Sequence, residues 1–382
     1  MNPLSCGRVS CPSSIISNSG CLRLCFRSCS CCISARNSLV SSAIDMPPYD
    51  EGCGGKYTRD AAASCTMRPM IEFGVSLPTI GMDDPSAVRL VAEQAETSGL
   101  DSVWAADHIV LPTSHTSTYP YSADGEFLIA PGLPFLDQFT TLAWVAGFTS
   151  RVKLGTAVTL LPLRHPLAVA KTTATLDVLS GGRSILGVAA GWLREEFDAL
   201  GLDFDRRGAV LDESLRLVRA AWTEQEVRFE GRFFDVSGVE SYPHPAQTPH
   251  PPIWIGGHTK PVMRRAARYG DAWFPPLFAT TPQALAEAHR AMNEEAATAG
   301  RGNGAVALSL RVLVDLRSDP DLAGAEKRGA LTGEPQRIAA TLADYAEAGV
   351  SHFVFLPQAR SLADVQRTID LLSAKVVPEL RS

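Results

Sequence analysis

The chain is 382 residues long, 45% hydrophobic and 20% charged, with a net charge of −6, and all nine of its cysteines precede residue 66. Residues 1–69 carry seven basic and four acidic side chains, which leaves the remaining body cysteine-free and at −9. These figures exclude a disulfide framework for the body and suit a reducing, cytoplasmic compartment. They argue against a nonspecific nucleic-acid binder, which needs a basic face. No uncharged apolar run reaches the roughly 20 residues that span a bilayer.

Residues 1–44 contain no Asp or Glu but many Ser and four arginines, Arg8, Arg23, Arg27 and Arg36. That composition fits a transit peptide, or an unstructured leader ahead of a natural start at Met46, Met67 or Met70. The cluster Cys29-Ser30-Cys31-Cys32 lacks the paired CxxC spacing and a nearby His, so no metal site is expected. Residues 46–69, rich in Pro, Gly and small side chains, read as linker. The expected division is therefore 1–69 as disordered leader, linker or mis-start and 70–382 as one catalytic domain.

The body opens with Ile71, Phe73, Val75 and Leu77 alternating along a strand that Pro78 ends. Val88, Val91, Ala92 and Ala95 then recur at helical spacing before Gly99. The pattern repeats, with strands near 101–106, 152–160, 183–189, 252–256, 271–274, 306–314 and 351–356. Helices are expected near 137–150, 166–179, 206–223, 260–269, 282–299, 335–347 and 361–377. The clearest is 206–223, where Leu211, Leu215, Val218 and Trp222 share one face. Eight strict alternations predict an α/β fold, a closed (β/α)8 TIM barrel with insertions. The rival, a doubly wound open sheet, lacks the GxGxxG turn of a dinucleotide-binding unit. A polar, Pro- and Tyr-rich stretch at 112–136 and a hairpin around Val227 to Val236, turning at Gly231, interrupt the repeat.

Reactive groups of a barrel belong at the carboxyl ends of its strands. Strand two ends in Asp107-His108, a pair able to act as a base with its orienting carboxylate, or merely to pack a loop. His165 precedes Pro166, the expected first residue of a helix, and reads as structural. Ala189-Ala190-Gly191 at the end of strand four forms either a side-chain-poor shelf for a flat ring or a tight packing joint. Gly256-Gly257 before the fifth helix can offer backbone amides to a phosphate or carboxylate. No His pair has metal-site spacing, and nucleophile elbows, HExxH and P-loops are absent, so hydrolytic and phosphoryl-transfer classes recede.

The runs Leu154-Gly155-Thr156-Ala157-Val158-Thr159, Leu176-Asp177-Val178-Leu179-Ser180-Gly181-Gly182-Arg183 and Leu186-Gly187-Val188-Ala189-Ala190-Gly191-Trp192 resemble the bacterial luciferase-like flavin and deazaflavin oxidoreductases. Ser102-Val103-Trp104, Tyr119-Pro120-Tyr121, Glu195-Glu196-Phe197 and Ile253-Trp254-Ile255-Gly256-Gly257-His258 support it, and the branch it resembles most is the one that depends on coenzyme F420. The resemblance spans about residues 70 to 380. It implies a TIM barrel with the ring in its mouth, backed by a non-prolyl cis peptide at Ala157-Val158 and contacting Asp107, His108, Ala189, Ala190 and Gly191. The cofactor phosphate is implied on Gly256, Gly257 and His258 with the following helix, and a substrate pocket beside Trp104, Trp192 and Tyr121. Trp192 stands where sugar-phosphate-oxidising relatives carry a proton-donating Glu, which favours a more apolar or planar substrate. The implied reaction is hydride transfer to or from a small organic molecule, with FMN-dependent oxygen insertion and a non-catalytic cofactor-binding barrel as alternatives. The 112–136 stretch is expected to fold over the mouth as a lid, and a second copy of the chain is the expected protein partner.

Overall fold

The computed structural model describes residues 70–381 other than 83, 123, 128, 131, 303 and 321. The leader and all nine cysteines lie outside the described residues. Eight parallel strands alternate with helices: β1 (Glu72–Ser76), β2 (Ser102–Ala105), β3 (Lys153–Thr156), β4 (Ser184–Ala189), β5 (Ile253–Gly256), β6 (Ala272–Phe274), β7 (Ala307–Asp315) and β8 (His352–Pro357). Each strand pairs with the next, and β8 returns to β1 with Phe353 opposite Phe73 and Val354 opposite Gly74, which closes the barrel. Outside it lie α1 (Pro85–Thr97), α2 (Gln138–Ala146), α3 (Pro166–Ser180), α4 (Arg207–Thr223), α5 (Lys260–Tyr269), α6 (Pro282–Thr298), α7 (Pro335–Glu347) and α8 (Leu362–Leu371). None of the described helices is long and apolar enough to cross a membrane.

Local chemistry sets these boundaries. Asp84 and Asp137 cap α1 and α2 by accepting from Ser86 N and Thr140 N, while His165 caps α3 by accepting from Leu167 N, the structural role expected of it. Strands buried on both faces read as continuous apolar runs, as in Ile253-Trp254-Ile255 and Phe353-Val354-Phe355. The hairpin forms from Val227–Glu230 and Asp235–Val239. Two expectations change: the strand at 152–160 is broken after Thr156, and the last helix stops at Leu371, giving way to a wider π turn at Leu372–Val376. Short helices at Arg194–Ala199 and Leu322–Arg328 were not expected, being too short to show a period.

Trp104, Trp254, Phe274, Ile185 and Val354 fill the barrel interior. Trp104 is fully buried, and a Cβ on Gly155 would collide with its ring while one on Gly74 would collide with its Nε1 and with Ser102 Oγ. Those two glycines thus make room for the indole. Beneath it, Trp104 Nε1 donates to Ser102 Oγ at 2.8 Å, Ser102 Oγ lies 2.8 Å from His352 Nε2, and His352 Nδ1 lies 3.0 Å from Glu72 Oε2. The His352 bond holds the Glu72 carboxyl at about 2, burial opposing it and Lys153 adding to it, while burial pushes the His352 imidazole down from its usual 6.5. Both shifts are downward, so the unfolded chain binds the extra protons and stability is lost with acid, first below about 6.5 and further below about 4.5. Calorimetric melting of wild type and Glu72→Gln should show a gap at neutral pH that narrows as pH falls below about 4.5, and a gap that widens there would contradict this network.

Candidate functional site

A cavity of about 360 Å³ opens at the carboxyl ends of the strands. Its walls include Ser76 at the end of β1, Ala106 after β2, Ala157 and Val158 after β3, Gly256 and Gly257 after β5, Phe274 of β6, and Arg311 and Leu313 of β7. Tyr119, Tyr121, Phe127 and Ile129 add side chains from the 112–136 stretch, so that insertion lies over the mouth. Burial pushes the Tyr121 hydroxyl up to about 12, a neutral donor at ordinary pH.

The break in the third strand is a cis peptide between Ala157 and Val158, after which the chain rejoins the barrel at Thr159–Leu160 beside β4. Val158 sits where a Cβ on Gly256 would come within 3.0 Å of it, so a glycine across the barrel accommodates the ridge. Gly257 has φ +113, a conformation that side chains resist, and lines the cavity while its N–H donates to Phe274 O and its carbonyl accepts from Trp273 Nε1. Next to it the His258 Nδ1 is buried without a partner. Its ring lies 5.9 Å from Tyr121, and burial lowers its pKa. Thr259 at the N-cap of α5 makes no side-chain cap and Pro261 carries no N–H, so Lys260 and Val262 supply the uncapped amides at the start of that helix.

The Asp107-His108 pairing is corrected by the structure. Asp107 is buried and takes two bonds from Arg164, at 2.6 and 2.7 Å, with a third from Leu160 N. Its carboxylate is turned to the start of the next βα loop and makes no bond to His108. Glu196 takes that place: its Oε2 lies 2.7 Å from His108 Nδ1, while Oε1 accepts from Ile109 N at 2.7 Å and Val110 N at 3.3 Å. The carboxyl is fully buried, which strengthens its bonds, and the His108 ring packs against Phe127, Phe135 and Trp192 outside the residues that line the cavity.

The neighbouring Glu195 holds the insertion. It accepts from Thr116 N, Thr116 Oγ1, Ser117 N and Ser117 Oγ. Burial pushes its carboxyl up, and the Ser117 and Thr116 donors outweigh this to hold it at about 2. Both acids come from the short helix Arg194–Ala199.

The remaining expected residues are placed unevenly. Trp104 does not reach the pocket: with Trp254 at 4.7 Å and Phe274 at 5.4 Å it is a layer of barrel filling beneath the cavity. Ala189, Ala190 and Gly191 lie outside the cavity walls. Ala189 packs in the cluster of Leu160, Leu163 and Phe197, and a Cβ on Gly191 would meet Phe197 at 2.8 Å, so the shelf is a packing joint. Trp192 stands behind the lid, 4.9 Å from Phe127 and 5.1 Å from Tyr119, and 6.4 Å from His108. Tyr121, Ala157, Val158, Gly256 and Gly257 do line the cavity. Glu196, Arg311 and Ser76 were given no role from sequence. The one visible signal was for Glu196, an acidic pair closely following the strand-four glycine.

The family model described as luciferase-like monooxygenase matches residues 70–328. The chain belongs to the luciferase-like monooxygenase family. Within it, a Mycobacterium tuberculosis protein is 36% identical over 183 residues, a match that spans 48% of this chain and 62% of that one. The F420-dependent glucose-6-phosphate dehydrogenase of Kineococcus radiotolerans is 29% identical over 337 residues, covering 78% of this chain and 94% of that protein. Among solved structures, an F420-dependent secondary alcohol dehydrogenase superposes with a TM-score of 0.66 at 19% identity, covering 82% of this chain and all of that one. A monooxygenase from Streptomyces bottropensis superposes at 0.64 and 23% identity, covering 81% and 99%. Both share the barrel of this luciferase-like chain.

Proposed function

We propose that the chain is an oxidoreductase that uses coenzyme F420 to pass a hydride to or from a small, partly apolar organic molecule. The observation that carries this reading is the cradle at the barrel mouth, where Ala157, Val158, Gly256 and Gly257 line one cavity. The residues fit the cofactor. The uncapped start of α5 and the unpartnered His258 Nδ1 suit a phosphate. When bound, the deazaflavin supplies a two-electron hydride carrier.

The chain's own residues do the rest. Ala157 and Val158 would hold the ring, Tyr119, Tyr121 and Phe127 would close off water, and His108, held through Nδ1 by Glu196, would hold or deliver a proton at Nε2. Asp107 fixes Arg164 and the start of the third βα loop, and takes no part in the proton transfer. Glucose 6-phosphate does not carry over from the Kineococcus relative, because Trp192 with Phe127 and Tyr119 makes this quarter of the site aromatic. A monooxygenase dependent on FMN is the second reading, favoured by the family's description and by the fit of any tricyclic ring with a phosphate tail to the same cradle.

Titration of the purified full chain with oxidised F420 and with FMN, followed by absorbance and fluorescence, should show tighter binding of F420. Saturation by FMN alone would transfer the assignment to the monooxygenase reading. Binding of neither would sink both.

A further inference from the structure

The cavity contains a positive charge that no described residue neutralises. Arg311 lies on β7 opposite Val354 of β8, which in turn lies opposite Gly74 of β1. Residues in register on a parallel ladder point the same way, and Val354 belongs to the interior layer around Trp104. Arg311 therefore starts inside the barrel and rises into the cavity, whose wall it forms. It makes no ion pair or side-chain hydrogen bond with any described residue, and its Nε is buried without a partner. Arg328, the other arginine of the wall, is engaged, and its charge helps hold Asp315 ionised.

Ser76, two residues beyond Gly74 on the same face of β1, also lines the cavity, is 9% exposed and has a buried Oγ without a partner. A guanidinium Nε and a hydroxyl buried without partners among the described residues are costly unless a ligand completes them. The Arg311 charge also pulls down the hydroxyl pKa of both Tyr119 and Tyr121 against their burial, which places it near the lid. The rest of that wall is mostly apolar, with Ile80, Phe278 and Leu356 beside the polar Thr79, Ser122 and Gln358.

We infer that the substrate is an apolar molecule bearing one carboxylate, held by Arg311 with Ser76 donating to the same group. One unpaired guanidinium matches a monoanion, and the apolar walls match a hydrocarbon or aryl body. This rests on the reading of the cavity as the substrate side of the hydride-transfer site. It narrows that reading from any small organic molecule to an amphipathic acid.

The test uses the full chain and calorimetric titration with 4-phenylbutyrate, its methyl ester and inorganic phosphate, together with the F420 titration on the same variants. The acid should bind wild type, and about tenfold or more weaker to Arg311→Gln, with Arg311→Lys intermediate and Ser76→Ala modestly weakened. The ester should bind weakly and equally to wild type and Arg311→Gln. Unchanged melting temperatures would show that the variants fold. Equal binding of acid and ester, no binding of the acid, or an undiminished affinity in Arg311→Gln would each overturn the inference. Preference for inorganic phosphate would replace the carboxylate by a phosphate ester. Loss of F420 affinity in Arg311→Gln with acid binding retained would reassign the arginine to the cofactor tail. Failure of wild type to bind F420, with acid binding intact, would defeat the cofactor reading alone.

Discussion

Glu196→Gln is expected to lower turnover about a hundredfold in an F420-linked assay with an alcohol or activated alkene that the wild type accepts, leaving F420 affinity nearly unchanged. The carboxylate lies 2.7 Å from His108 Nδ1 and is fully buried, so glutamine keeps the volume but loses the charge and one acceptor. His108→Ala should cost as much or more, and the double variant should be no slower than His108→Ala, because the two side chains act as one unit. A purely structural role for Glu196 would instead give additive losses. A second readout is independent of activity: the Ile109 and Val110 amides, both donors to Glu196 Oε1, should exchange faster in the glutamine variant. Turnover unchanged in His108→Ala would remove the proton-transfer role altogether.

Trp104→Ala should destabilise the barrel by about 3–5 kcal/mol, the range for deleting a fully buried aromatic ring. The indole is fully buried between Trp254, Phe274 and the faces of Gly74 and Gly155, and its removal also strips Ser102 Oγ of the Nε1 donor. Denaturant unfolding measures the loss, and a change below about 1 kcal/mol would show that the neighbouring rings had collapsed into the space. Binding of F420 by the fraction that remains folded should persist, since the ring lies below the cavity and not in its wall. Had Trp104 been a pocket residue, the variant would instead lose ligand affinity with little loss of stability.

The contrast between Trp104 and Tyr121 shows where motif position misleads. Both were assigned to the substrate pocket, yet strand geometry turns Trp104 inward beneath the cavity while Tyr121, on the long insertion, lines it. Likewise Asp107 and His108 are adjacent in sequence, and successive residues leaving a strand point to different sides. Asp107 therefore meets Arg164 and His108 meets Glu196. The Ala189-Ala190-Gly191 run left its two readings open because a small residue suits either a ligand or a packed ring, and here Phe197 is the neighbour.

The amino-acid sequence by itself determined the alternation of eight strands and eight helices, most of the helix starts and the hairpin. Each of these depends on the period of apolar residues, on caps and on glycines within a few positions along the chain. The tertiary structure alone decided which groups meet: Glu196 joins His108 across 88 residues, and Arg311 enters the cavity with no carboxylate of a described residue paired to it. Pairing of this kind is set by how the barrel closes and by which face each strand turns inward, and no local pattern records it. The split in composition at residue 70 takes on a sharper meaning with that closure. The acidic, cysteine-free body places Arg311 in its cavity wall without an ion pair to any described residue, which net charge could not reveal.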